Sequence, residues 1–282
     1  MQITLIFHEQ PKGIGQLPFV LYLKQVIIPI MSKNASPHCA WAKQPYKTIL
    51  FFVTVCFLLY AYRVSAQSDN FSIASKSFLL PQPQAKGKFT QALSIYYVVP
   101  PRIWTLDMVN APMFNYSAKY SLGKGFNVQG GLSSLIISNR FNFGPFWNHQ
   151  FGKDYLGIGY QLGFNLGMLN HFGFESTLTG WEQQPSITWG HDFGKTALTV
   201  RGDFYYTSSM NVSHGGNKIP YNSGFINGGS ITTSFEQRLY KQKTMSLGLK
   251  LNYLRYHILA WPALPVNSYR YVFPEFQLGL NL

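Results

Sequence analysis

The sequence predicts an all-β chain, an antiparallel transmembrane β-barrel of about ten strands, and three observations predict it. Apolar and small polar residues alternate with period two through most of the chain after residue 88. The connections between these runs alternate between short polar turns and long irregular segments. Aromatic residues make up 17 % of the chain and charged residues only 12 %, where about 25 % charged is usual for a soluble protein. Mean hydropathy is nonetheless only −0.03, too low for a bundle of membrane helices. Gly, Ser, Thr, Asn and Gln take the places of charges, which suits an apolar exterior around a neutral, hydrated interior.

The N-terminal part reads as an export signal. Residues 48–62 are apolar, follow Lys43 and Lys47, and lead through Arg63 to Val64-Ser65-Ala66-Gln67. That is a small-x-small site, with cleavage expected between Ala66 and Gln67. The 15-residue apolar core falls short of the roughly 20 residues a spanning helix needs, although an N-terminal membrane anchor is the competing reading. Residues 1–30 precede Met31, where a signal would begin, and read as a mis-called extension. The expected organisation is therefore 1–30 extension, 31–66 signal peptide, 67–87 periplasmic lead-in or linker, and 88–282 barrel. Both cysteines, Cys39 and Cys56, fall before the cleavage site, so the mature chain would hold no disulfide. Val53-Thr54-Val55 ahead of Cys56 lacks the small residue of a lipoprotein signal. Residues 67–282 carry 17 basic and 9 acidic side chains, a net charge of about +8.

Ten strands are expected near 88–98, 112–122, 125–138, 144–151, 155–168, 185–193, 196–207, 223–240, 244–257 and 269–282. Twelve would result if 72–80 and part of 169–184 also paired. The clearest run is 155–168, where Leu156, Ile158, Tyr160, Leu162, Phe164, Leu166 and Met168 oppose Gly157, Gly159, Gln161, Gly163, Asn165 and Gly167. A strand sorts these sets onto opposite faces, and a helix does not. Gly123-Lys124, Gly152-Lys153-Asp154, Gly194-Lys195 and Lys241-Gln242-Lys243 read as tight turns. Roughly 99–112, 139–144, 169–184, 208–222 and 258–268 read as long loops. Short periplasmic turns opposite long external loops are the arrangement of outer-membrane barrels. Phe141, Phe143, Trp147, Trp189, Tyr205, Tyr206, Trp261, Tyr269 and Tyr271 lie near strand ends, as interfacial girdles require.

The signal ending Val64-Ser65-Ala66-Gln67 and the final strand, which reaches Leu282, resemble the small outer-membrane β-barrel proteins of the Bacteroidetes type. The likeness covers about residues 48–282 in architecture. It implies the bacterial outer membrane as the location, with outer-membrane lipid, lipopolysaccharide and the barrel-insertion machinery as partners. The chain departs from the aromatic ending common in such barrels, closing Gly279-Leu280-Asn281-Leu282.

Lys119, Arg201, Asp203, Glu236, Arg238, Lys250 and Glu275 fall on inward positions. Inside a narrow barrel such charges have to pair, so they are read as a lumen charge network. The alternative is a small pore whose basic excess favours anions. His214 and the stiff, apolar stretch around Trp261 and Pro262 are expected to make contacts through external loops, with another envelope protein or with lipid. His171, Glu175, Ser176, Ser213, His214 and His257 are the parts available to a lipid-modifying enzyme, but their spacing matches no nucleophile motif. His191-Asp192 reads as a surface pair beside a turn. No cofactor, metal cluster or nucleic-acid partner is expected. The leading reading is a non-enzymatic outer-membrane barrel, structural or partner-binding; the remaining alternative is a secreted soluble β-barrel binding a small ligand.

Overall fold

The computed structural model describes residues 73–101, 112–169, 175–219, 224–239, 243–258 and 269–282. One short helical turn, α1 (Ile73–Lys76), precedes eleven strands. These are β1 (Phe89–Val98), β2 (Pro112–Gly123), β3 (Phe126–Ser134), β4 (Ser138–Phe151), β5 (Asp154–Leu169) and β6 (Ser176–Asp192). They are followed by β7 (Thr196–His214), β8 (Asn217–Ile219), β9 (Phe225–Arg238), β10 (Thr244–Leu254) and β11 (Tyr271–Asn281). All pairings are antiparallel. β1 pairs with β11 and β6 with β7, so ten of the strands close into a barrel. β8 pairs only with the outer end of β7 and is not a wall strand.

The polarity of the wall is the reverse of a soluble fold. Ile231, Val272 and Phe114 on the outside are each more than 60 % exposed in the isolated chain, whereas Glu236, Glu275 and Lys119 inside are at most 1 % exposed. Large apolar side chains stand exposed on the exterior of every wall strand, while Asn115, Asn127, Gln161 and Asn252 face inward and are buried. A bilayer is the solvent in which such an exterior is stable, because burying it in lipid removes apolar area from water. No described helix is long and apolar enough to cross a membrane.

Three expectations about the wall are corrected. Residues 139–144 are not a loop: β4 begins at Ser138, and the β3–β4 connection is a few residues around Ile136. Most of 175–184 is likewise strand, since β6 starts at Ser176, and β7 runs on to His214 through part of the expected 208–222 loop. Only the first half of β6 lacks an alternation signal, because polar side chains lie on both of its faces; 139–144 alternates with Phe141 and Phe143 outside, and 209–213 alternates in the reverse sense with Met210 and Val212 inside. In β6, Thr177, Thr179 and Gln183 are outside while Glu182 and Gln184 are inside. β5, β6 and β7 are therefore 16, 17 and 19 residues long, well beyond the roughly 9–11 that span a bilayer. Tyr205, expected in a girdle, is buried in the interior at 2 % exposure. The loops around Trp261 and Pro262, and the signal region with Ala66 and Gln67, lie outside the described residues.

Replacing Ile231 by lysine tests the outward face. A lysine held against lipid near mid-membrane costs about 2–4 kcal/mol. Ile231→Lys should therefore lower the urea midpoint for folding into vesicles, read as the heat-modifiable gel band. An unchanged midpoint would place that face in water.

Candidate functional site

The barrel interior divides into three levels, and the lowest is filled by the chain itself. Residues 73–88, which include most of the stretch expected as a periplasmic lead-in or linker (67–87), run inside the barrel at its short-turn end. The Ile73 amide donates to the Gly194 carbonyl (3.4 Å), which anchors α1 at the β6–β7 turn. Glu236 of β9 then accepts from the Ser77 hydroxyl and from the backbone amides of Phe78 (3.1 Å) and Leu79 (3.4 Å). Asn281 of β11 donates to the same carboxylate (2.9 Å) and to the Lys76 carbonyl (3.4 Å). Lys119 of β2 donates to the Phe78 carbonyl (2.9 Å), with its ammonium 5.2 Å from the Phe78 ring centroid. Asn148 and Ser121 donate to the carbonyls of Gln82 and Gln84 at 3.3 and 2.9 Å.

Two glycines make room for this plug. A Cβ at Gly157 would lie 2.7 Å from Pro81, and one at Gly190 would strike Leu80. Larger residues there would push the segment out, which gives a physical reason for small inward positions on β5 and β6. Ile73, Ala74 and Leu80 pack with Tyr155 and Ala197 into a small apolar cluster beside the polar contacts. Lys88, at the segment's exit, donates to the Ser75 carbonyl (2.6 Å). Partial burial, and then the nearby Lys76 ammonium, hold the Lys88 pKa below its ordinary value.

Above the plug lies a polar chamber of about 180 Å³. Three ion pairs surround it: Arg140–Glu182 at 2.9 Å, Arg201–Asp203 at 2.8 Å and Lys250–Glu275 at 3.5 Å. Amides tie the pairs together. Gln184 accepts from Arg140 and donates to Asp203, both at 2.8 Å, and Gln161 accepts from Arg201 at 3.2 Å. Asn227 donates to Glu182 at 3.1 Å, and Gln277 donates to Glu275 at 3.2 Å. The register shift between Tyr205 and Tyr206 in the β7–β9 ladder falls beside Asn227, a place where a bulge can re-aim a side chain. Tyr205 stands between Arg140 and Lys250, whose charged groups lie 5.5 and 5.7 Å from its ring centroid.

The third level, at the long-loop end, is apolar. Met113, Leu178, Met210, Val212, Tyr256 and Ile258 form a buried cluster. Tyr96, Leu135, Leu169, Ile219 and Phe225 pack against it, so that the layer draws on strands from most of the circumference. A second cluster, Val98, Tyr205, Leu254 and Phe273, lies beside it.

The residues proposed for a single charge network thus separate into two groups. Arg201, Asp203, Lys250 and Glu275 meet around the chamber, while Lys119 and Glu236 hold the plug. Arg238 ends β9 two residues past Glu236, at the short-turn end. Arg140 and Glu182, central to the chamber, escaped the sequence reading because both fall in stretches taken for loops. His191 pairs with Asp154 across the β5–β6 ladder (2.8 Å) rather than with Asp192, which accepts from the Gly194 amide (2.6 Å). His214 Nδ1 lies 2.6 Å from Ser176 Oγ, next to a Thr177–Ser213 contact of 2.7 Å. Ser176 is only 3 % exposed, and both contacts join register partners of the β6–β7 ladder, the geometry of cross-strand pairing. His171 lies outside the described residues.

A closed ring of strands with a lipid-compatible exterior and a polar, filled interior defines an integral transmembrane β-barrel, a class whose bacterial home is the outer membrane. No protein-family model matches the chain, and no curated protein matches it. Among solved structures, Neisserial surface protein A is 14 % identical, with 69 % of this chain and 95 % of that one covered at a TM-score of 0.32. The translocator domain of the autotransporter NalP from Neisseria meningitidis is 12 % identical, with 71 % and 88 % covered and a TM-score of 0.34. Outer membrane phospholipase A from Escherichia coli is 9 % identical, with 74 % and 97 % covered and a TM-score of 0.36. At these values the likeness carries no activity, ligand or partner over to this chain.

The Arg140–Glu182 pair yields a stability prediction. Arg140→Ala leaves a buried carboxylate without its cation and should destabilise the barrel by about 3–5 kcal/mol. Arg140→Ala combined with Glu182→Leu should recover much of that loss. Both are read from the urea dependence of the folded gel band.

Proposed function

We propose that the protein is a non-enzymatic integral outer-membrane barrel that keeps its lumen closed and works through its external loops, as a structural element or as a binding partner of another envelope protein. The observation that carries this reading is the seating of residues 76–84 in the lumen, on side chains supplied by β2, β4, β9 and β11. A segment held at so many backbone positions is part of the folded wall's interior and not a passing obstruction. The apolar layer at the opposite end opposes ion passage as well, since hydrophobic constrictions exclude hydrated ions.

The anion-favouring pore draws less support, because the basic excess does not line the chamber. Three cations there face three carboxylates at pairing distance. The excess lies elsewhere, in part on exposed turn residues such as Lys124, Lys153 and Lys195. Within the outer-membrane class, the small Bacteroidetes type is the subgroup we infer, on the strength of Val64-Ser65-Ala66-Gln67. The contact reading for Trp261 and Pro262 rests on their sequence alone.

Planar-bilayer recording on residues 67–282 tests the closed lumen. The expected record shows no stable conductance steps at moderate voltage. Steady, anion-selective steps from the intact chain would replace this reading with the pore.

A further inference from the structure

One pattern occurs twice on the outside of the barrel, and the closed lumen makes no use of it. Trp147-Asn148-His149-Gln150-Phe151 ends β4, and Trp189-Gly190-His191-Asp192-Phe193 ends β6 and enters its turn. Strand alternation puts the Trp, His and Phe of each copy on one face. That face is the outer one, since Phe151, Trp189 and Phe193 are exposed, whereas the intervening Asn148 and Gly190 face the plug. In the first copy the Trp147 and His149 rings stack at 5.5 Å, and His149 lies 4.3 Å from Phe151. In the second, Trp189 lies 6.4 Å from His191, and His191 lies 4.5 Å from Phe193.

Only β5 separates the two copies, and the register defines what lies between them. Three outward rows cross the strands: Trp147–Ile158–Ile187, His149–Leu156–Trp189 and Phe151–Asp154–His191. β4 and β6 are about 10 Å apart, two strand spacings, which gives a strip with an apolar floor and aromatic edges. Its chemistry changes along its length. Toward the membrane centre the floor is Ile158 and Leu156; toward the turns it carries Asp154, whose side chain is 46 % exposed. Lys153 and Lys195 are exposed in the adjoining turns. The Lys153 carbonyl accepts from the Asp192 amide (2.9 Å), which fixes the β4–β5 turn against the end of β6.

We propose that this strip binds a phospholipid of the periplasmic leaflet whose headgroup carries both a phosphate and a primary ammonium. The phosphate would meet Lys153 and the imidazole of His149, while His191 stays on Asp154. The ammonium would meet the Asp154 carboxylate and the aromatic faces beside it. One acyl chain would lie along Leu156 and Ile158. The case for a headgroup of both signs is the site's own charge balance. The exposed Lys153 is followed directly by Asp154, a half-exposed carboxylate that His191 holds at 2.8 Å, so a purely anionic headgroup reaching Lys153 would also face a negative charge. The proposal rests on the barrel lying in a bilayer and holds whether or not the lumen conducts.

The test is native mass spectrometry of the folded, detergent-solubilised barrel mixed with equal amounts of phosphatidylethanolamine and phosphatidylglycerol, with folding checked by heat-modified gel mobility. The intact barrel should retain one phosphatidylethanolamine in preference to phosphatidylglycerol. Lys153→Gln with Asp154→Asn should reduce that preference by about fivefold, the upper scale of one exposed ion pair. Equal retention of the two lipids by the intact barrel overturns the proposal without recourse to any variant. So does an unchanged preference in a folded double variant. A barrel that fails to enter membranes at all would instead count against the membrane reading, and the gel mobility shows that separately.

Discussion

Closing ten strands into one ring forces the inward side chains to face each other in a confined space, and the rest of the structure follows from that constraint. In a barrel this narrow, inward charges cannot reach bulk water, so each must find a partner in the wall or in whatever fills the lumen. Arg140, Arg201 and Lys250 find theirs in Glu182, Asp203 and Glu275. Glu236 and Lys119 find theirs in the backbone of the N-terminal segment. The plug is thus not an addition to a finished barrel, because without it two buried charges lose most of their hydrogen bonds.

The exterior answers the same closure in the opposite sense. With every backbone edge of the ring paired, apolar residues can occupy the outside, and lipid can then solvate them without leaving unpaired amides. The three interior levels share the work. The plug closes the turn end, the ion pairs hold the middle of the wall in register, and the apolar layer covers the loop end with conventional packing. β5, β6 and β7 carry this interior furthest, since their outer ends supply Leu169, Leu178, Met210 and Val212 to that layer.

Much of the wall was legible in the sequence because period-two alternation has no helical counterpart. Residues 155–168 show it most clearly, and β5 spans Asp154–Leu169. Legibility failed where neither face is apolar. Thr177, Thr179 and Gln183 sit outside while Glu182 and Gln184 sit inside, so β6 looked like a loop over its first half, and Glu182 was lost with it. Arg140 was missed for a different reason: Phe141 and Phe143 do alternate with it, but the run between Ser138 and Gly144 is short and bounded by asparagines that read as a loop. The plug has no period at all, because it is held by side chains of the wall acting on its backbone. The traces it left in sequence were indirect: inward Glu236 and Lys119 with no evident partner in the wall, and glycines at 157 and 190 where its bulk had to fit. Trp261, Pro262, Ala66 and Gln67 lie outside the described residues.

The central claim is that the chain's own residues 77–84 sit inside the barrel. The most direct test is a cysteine pair, Pro81→Cys with Gly157→Cys, in a background where Cys39 and Cys56 are replaced by serine. Pro81 Cβ lies 2.7 Å from where a Gly157 Cβ would stand, so the two must part by about 1 Å to reach the roughly 3.8 Å Cβ separation of a disulfide. In isolated outer membranes this pair should oxidise to a cross-link, while Pro81→Cys with the outward Ile158→Cys should not. Failure to cross-link, together with free labelling of a single Pro81→Cys variant that keeps Gly157 by a membrane-impermeant maleimide, would mean that the segment lies outside and the lumen is not filled as described.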